Sequence, residues 1–239
     1  MDNGNLQLWT IVAGFETLVP TTLLAEHDDL VTKCKLHKSD VNVLASSSYD
    51  CTVKIWDLSE GISTLTIEGH FDQVKCLQWG HDGSTIASGG VDALLRVWDI
   101  RNPKSPAVIS QLPHAISALS IAPHNGYGVA LGCEDGSVHL IDVRKGAVPS
   151  CSRKDHRGLV TAIEYDLSSP SILASCSHDT TIKIRNSDSL ITQHSVHAHT
   201  DYVTDVAWIE PGVIISSSWD KSIKFSPVDT IPTTAMVIE

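Results

Sequence analysis

Asp50 to Asp57 reads Asp-Cys-Thr-Val-Lys-Ile-Trp-Asp, and the chain repeats that phrase. Asp92 to Asp99 reads Asp-Ala-Leu-Leu-Arg-Val-Trp-Asp, and Asp135 to Asp142 reads Asp-Gly-Ser-Val-His-Leu-Ile-Asp. Asp179 to Asn186 reads Asp-Thr-Thr-Ile-Lys-Ile-Arg-Asn, and Asp220 opens a fifth, decayed copy, Asp-Lys-Ser-Ile-Lys-Phe-Ser-Pro. Each is a short amphipathic strand that starts at a turn residue. The leading aspartates stand 42, 43, 44 and 41 residues apart. A period of this size marks a repeat architecture, in which each unit buries its apolar face only against its neighbours.

Outward from this strand the phases stay constant. His27, His70, His114, His156 and His199 recur at 43, 44, 42 and 43 residues, each followed by an apolar residue: Val31, Val74, Ile116, Val160 or Val203. That residue opens an alternating inner strand, for example Val74 to Trp79. A turn follows, clearest at His81-Asp82-Gly83, where Asp-Gly suits a tight hairpin. Next comes a small-residue strand such as Leu44-Ala45-Ser46 or Ile86-Ala87-Ser88. After the Asp-led strand, a fourth is expected near 63–68, 107–112, 148–153, 191–196 and 233–238. Glu60-Gly61, Asn102-Pro103 and Lys145-Gly146 supply turns between third and fourth strands.

Four short strands per repeat, with no helical period, predict an all-β fold. One four-stranded sheet cannot bury both faces, but radially stacked sheets can, as the blades of a β-propeller. Asn3 to Trp9 aligns with Asp50 to Trp56, and a strand is expected near 17–24. The expected organisation is therefore a single domain over 1–239. It has a half-blade at 1–25 and repeats at about 27–68, 69–112, 113–154, 155–197 and 198–239.

The phases also bring polar residues together inside a blade. The turn Asp accepts from the His, and a Ser hydroxyl links the His to a Trp indole N–H, so that buried polar groups find partners. Two copies carry the full set: His27, Ser46, Asp50, Trp56 and His70, Ser88, Asp92, Trp98. The fourth has His156, Ser175 and Asp179 with Arg185 in the Trp place; the fifth has His199, Ser216 and Asp220 with Ser226 there. The third keeps His114 and Asp135 but has Leu131 and Ile141 in the other places. Less rigid blades are expected where the set is broken, from the third copy to the fifth.

Bulk properties narrow the function classes. The 239 residues carry 17 basic and 28 acidic side chains, a formal charge of −11. That balance opposes direct nucleic-acid binding, which needs clustered Lys and Arg, and favours basic protein partners. No apolar run of about 18 residues exists, so no membrane span is expected, and Met1 to Gly4 has no secretory character. The six cysteines form no C-x-x-C pair. They are read as small buried hydrophobes, with Cys34 and Cys76 at the same inner-strand phase.

The pattern resembles the WD40-repeat family over essentially the whole chain. Trp56-Asp57 and Trp98-Asp99 match its signature dipeptide, and Gly69-His70 its other signature pair. The resemblance implies a WD40 β-propeller with five complete four-stranded blades plus an N-terminal half-blade, an incomplete seven-bladed ring. About 65–75 residues are then expected to be missing upstream, as in a shortened product of a longer protein, at roughly 43 residues per repeat. A self-sufficient five-blade ring is the alternative.

Within the family, the motif order is similar to the methylosome protein 50 group. Glu26 to Val31, Val53 to Leu58 and Trp98 to Lys104 carry the likeness, as do Asp135 to Val138, Ala198 to Val203 and Trp219-Asp220. This resemblance implies a scaffold that binds a protein arginine methyltransferase, presents basic substrates such as Sm proteins or histones, and is cytoplasmic and nuclear. Another WD40 adaptor, such as a peroxisomal targeting-signal receptor, is the alternative, since Asp99 to Asn102 also suits that group.

Catalytic readings are weak. Repeated His-Ser-Asp sets argue against a hydrolytic triad, which needs one set at one cleft, and no G-x-S-x-G elbow or Gly-rich phosphate loop occurs. His197 and His199 could share a strand face as zinc ligands in a metal-binding enzyme, but no Cys or carboxylate completes a set. No catalytic residue, metal or cofactor is expected. Binding residues are instead expected where loops meet at one end of the blades. Tyr49, Phe71, Tyr202 and Trp219 are the aromatic candidates, with Glu134 and Asp201 supplying negative potential.

Overall fold

Six-residue segments rich in β-branched side chains, bounded by Asp, Gly and Ser turns, fold here as short antiparallel strands. The computed structural model describes residues 4–12, 17–123, 126–146, 148–169 and 171–228, and every regular element among them is a strand. β1 (Leu6–Val12) and β2 (Thr17–Leu24) form a two-stranded sheet. Blade 1 is β3 (Val31–Leu36), β4 (Val43–Ser48), β5 (Thr52–Asp57) and β6 (Ile62–Glu68). Blade 2 is β7 (Val74–Trp79), β8 (Thr85–Gly90), β9 (Leu94–Asp99) and β10 (Val108–Gln111). Blade 3 is β11 (Ile116–Ile121), β12 (Gly128–Cys133), β13 (Ser137–Asp142) and β14 (Cys151–Lys154). Blade 4 is β15 (Val160–Tyr165), β16 (Ile172–Ser177), β17 (Ile182–Asn186) and β18 (Thr192–Val196). Blade 5 is β19 (Val203–Glu210), β20 (Val213–Ser218) and β21 (Ile223–Pro227); the fourth strand expected near 233–238 lies outside the described residues.

Successive inner strands β3, β7, β11, β15 and β19 pack side by side, and all five line one central cavity of about 150 Å³. Lys33 Nζ of the first blade stands 3.9 Å from Asp205 Oδ2 of the last. Each inner strand carries a β-bulge at its second residue. Thr32, Ser117 and Thr161 use the position to donate a hydroxyl to Val74, Val160 and Val203 carbonyls at 2.7, 2.5 and 2.7 Å. Thr204, in the same place in blade 5, bonds back to Ser217 of its own blade.

The apolar core lies between blades. Ile182 and Ile184 of β17 are fully buried under blade 5, whereas their phase partners in β21, Ile223 and Phe225, are each 66% exposed. Burial of one such side chain is worth roughly 1.5–3 kcal/mol, so the stacking of neighbours is what stabilises a blade. The other end shows the same effect. Cys34 and Leu36 on β3 are exposed although Leu77 and Trp79, at the same places in β7, are buried. The register pairs Cys34 with Ser46 and Leu77 with Ser88, so Cys34 corresponds to Leu77 and not, as expected, to Cys76. Its exposure corrects the expectation of a buried Cys34: among the described residues, no inner strand precedes β3. All six cysteines are free thiols, and burial pushes Cys76, Cys133 and Cys176 up to about 12.

Candidate binding face at one end of the blades

One turn geometry recurs in every blade and gathers the candidate residues. The residue before each turn Asp donates its backbone N–H to a carbonyl where the inner strand starts. The pairs are Tyr49 to Leu30, Val91 to Gln73, Glu134 to Ala115, His178 to Leu159 and Trp219 to Tyr202, at 2.9–3.0 Å. The residue after each turn Asp sits in the left-handed region: Cys51, Ala93, Thr180 and Lys221 have φ between 59° and 70°. Only blade 3 places a glycine there, Gly136 at φ 87°, where a Cβ would run into the His156 carbonyl.

Beneath each turn lies the polar network. His27 Nδ1 donates to Asp50 Oδ2 at 2.7 Å, the Ser46 hydroxyl donates to His27 Nε2 at 2.7 Å, and Trp56 Nε1 donates to Ser46 Oγ at 2.7 Å. In blade 2 the bonds His70–Asp92, Ser88–His70 and Trp98–Ser88 measure 2.9, 2.7 and 2.9 Å. Blade 5 joins His199 to Asp220 and Ser216 at 2.8 Å each.

Blade 4 corrects the expectation of a broken set. His156 bonds Asp179 and Ser175 at 2.9 and 3.0 Å, and Arg185 Nε takes the indole's part on Ser175 at 2.9 Å. Its Nη2 pairs with Asp155 Oδ1 at 2.7 Å, and Thr192 bonds the other Asp155 oxygen, so the buried guanidinium is held on two sides. Blade 3 is rebuilt differently. With Leu131 and Ile141 packed at the Ser and Trp places, His114 has no buried partner and stays half-exposed, 3.4 Å from Asp135. His139 is the buried imidazole there, held between Ser137 and Ser152 at 2.9 and 2.7 Å.

Burial lowers the His27 and His156 pKa values below the usual imidazole value, so both rings stay neutral. Burial pushes Asp50, Asp92 and Asp179 up, but hydrogen bonds from their own blade's His and turn residues outweigh it and hold all three low. Asp220 is held low first by the Ser222 hydroxyl. Burial opposed by Ser137 and Lys154 leaves Asp135 at about 2. Asp–His–Ser connectivity copies that of a hydrolytic triad. Yet Ser46, Ser88 and Ser175 have no exposed surface and already accept an N–H, so none can reach a substrate. His199 is engaged at both nitrogens and has no lone pair free for a metal. Among the described residues, no group of three or more His, Cys, Asp or Glu could hold an ion.

The candidate rim residues separate into three environments. Tyr49 is half-buried and tied down: Lys75 Nζ donates to its hydroxyl at 2.7 Å and lies 4.1 Å from the ring centre. Phe71 is 82% exposed and stands over the buried guanidinium of Arg96, 5.1 Å away. Glu134 lines a second cavity with Lys33, Lys75 and Thr204. Tyr202 and Trp219 come together, 5.3 Å between ring centres, and Asp201 accepts the Tyr202 N–H at 2.7 Å beside them. Sequence reasoning missed the third ring. His178 stacks on Tyr202 at 4.3 Å, and its place directly before a turn Asp was the available signal.

Comparison with known proteins fits this geometry. The family described as "WD domain, G-beta repeat" matches residues 18–57, 61–99, 148–186 and 191–225. The chain belongs to the WD40 family. The longest unmatched stretch, 100–147, covers most of blade 3, where Leu131 and Ile141 replace the polar pair. Human Coronin-7 is 41% identical over 85 residues, 34% of this chain and 9% of that protein, so the chain spans about a tenth of that relative's length. The methylosome protein WDR77 of Xenopus laevis is 29% identical over 237 residues, 93% of this chain and 67% of that protein. Protein SPA1-RELATED 3 of Arabidopsis thaliana is 26% identical over 203 residues, 84% of this chain and 18% of that protein. A WD40 adaptor or scaffold architecture is what these relations support.

Proposed function

We propose that this chain is a non-catalytic WD40 scaffold of the methylosome type. It binds a protein arginine methyltransferase and presents basic substrates such as Sm proteins or histones, in the cytoplasm and nucleus. The observation that carries this reading is the 29% identity to the Xenopus laevis methylosome protein along 93% of the chain. A net charge of −11 and exposed Phe71, Tyr202 and Trp219 at the loop end are consistent with it. The serines of the internal His–Ser–Asp sets are sequestered, which favours a binding role over a hydrolytic one. The test is co-purification with the symmetric-dimethylating arginine methyltransferase. A complex that co-elutes from a sizing column is expected. Separate elution at micromolar concentrations of both proteins would overturn the reading.

A further inference from the structure

Three rings from two blades meet at the loop end. Tyr202 lies between His178, nearly parallel at 4.3 Å and 16°, and Trp219, tilted at 5.3 Å and 54°. His178 precedes the turn Asp of blade 4, and Trp219 precedes that of blade 5. Backbone bonds from His178 to Leu159 and from Trp219 to Tyr202, both 3.0 Å, fix the two loops. The rings are therefore held before any partner arrives, which lowers the ordering cost of binding. Trp219 is nevertheless 62% exposed and Tyr202 40%. Asp201 adjoins them: one oxygen takes the Tyr202 N–H, and among the described residues the carboxylate has no ion pair.

An exposed indole beside a fixed carboxylate suits a flat cation. A guanidinium stacks on the ring and directs its edge N–H groups at the carboxylate. A lysine ammonium is compact and strongly hydrated and gains less from the same surface. We propose that His178, Tyr202, Trp219 and Asp201 form a docking site for an arginine side chain of a basic protein segment. This rests on the basic-substrate reading above and adds both the place and the side chain. The stacked His178 ring backs Tyr202, Tyr202 backs Trp219, and Trp219 is the contact surface.

The test uses two labelled peptides of equal length and charge, a Gly-Arg repeat and a Gly-Lys repeat, titrated into the full chain at one low ionic strength. Peptide anisotropy reports binding. The wild type should bind the Arg peptide about fivefold tighter than the Lys peptide. Trp219→Ala and Tyr202→Ala should bring the two affinities together. Trp219→Leu keeps apolar bulk without a ring and should also lose the preference, which separates stacking from packing. Unchanged thermal midpoints verify that the variants fold. An Arg preference that survives Trp219→Ala and Trp219→Leu, or equal affinities for the wild type, would overturn this site and leave the basic-substrate reading standing. Binding of neither peptide would overturn both.

Discussion

Blades 2 and 4 solve one problem with different residues. Both bury a Ser that links a His to a donor ten residues further along the chain. In blade 2 the donor is the Trp98 indole, and in blade 4 it is Arg185. The residue before the His changes with it. Gly69 precedes His70, and a Cβ there would meet the Trp98 ring at 2.7 Å; Asp155 precedes His156 and neutralises Arg185. What blades 2 and 4 keep is an N–H aimed at the serine hydroxyl, and the charge that comes with an arginine brings its own counter-ion. Blade 5, with Ser226 in the donor's place, keeps the His199 bonds to Ser216 and Asp220 without that N–H. Blade 3 supports the same rule from the other side. When Ser becomes Leu131 and Trp becomes Ile141, the periodic histidine leaves the interior altogether. Polar groups are kept as a satisfied set or removed as a set, because a half-satisfied one leaves buried donors and acceptors unpaired.

The sharpest break in this comparison is Arg185→Ala. It strands the Asp155 carboxylate and leaves the Ser175 hydroxyl bonded to His156 but without its N–H donor, at a cost of about 3 kcal/mol in denaturant unfolding; Asp155 keeps some water contact and so moderates the loss. The double change Arg185→Trp with Asp155→Gly copies blade 2 into blade 4 and should recover much of that loss. If it is no better than Arg185→Ala, the two blades are not interchangeable solutions. Trp98→Phe is the smaller test. It keeps most of the ring volume but removes the donor to Ser88, and a cost of ~1–3 kcal/mol is expected.

Acid probes all the networks at once. His27 and His156 have folded pKa values below the free value of 6.5, so the unfolded chain takes up their protons first. Stability is full above that pH and falls as pH drops below it. Asp50, Asp92 and Asp179 lie below the free value of 3.8, so their contribution is present above it and is lost as pH falls further. Unfolding midpoints should hold steady from pH 7 to 8 and decline in two stages below about 6.5. A midpoint that rises on acidification would contradict neutral buried imidazoles.

The propeller was legible because its signal is periodic: Asp50, Asp92, Asp135, Asp179 and Asp220 each open the turn into a third strand. The Arg185–Asp155 pair was not, because it joins residues 30 apart that no repeat template aligns. Nor was the burial of His139 in place of His114, which follows from two apolar substitutions on neighbouring strands. The rim was legible by position and illegible by environment. Tyr49 and Trp219 share one phase, yet Tyr49 is held by Lys75 of the next blade, while among the described residues no blade follows blade 5 to do the same for Trp219. Contacts between blades, 26 residues apart for Tyr49 and Lys75, decide which aromatic stays available.

The smallest expected effect on stability belongs to Trp219→Ala, within about 0.5 kcal/mol, since most of the ring is already in water. That near-zero value is informative beside the loss expected for Trp98→Phe. The central claim is that the interior set builds the blade and the residue just outside it does the binding. The most direct measurement is the affinity of the Gly-Arg peptide for Trp98→Phe and Trp219→Ala side by side. The account predicts wild-type affinity in the less stable Trp98→Phe and weakened affinity in the fully stable Trp219→Ala. The reverse pattern would contradict it.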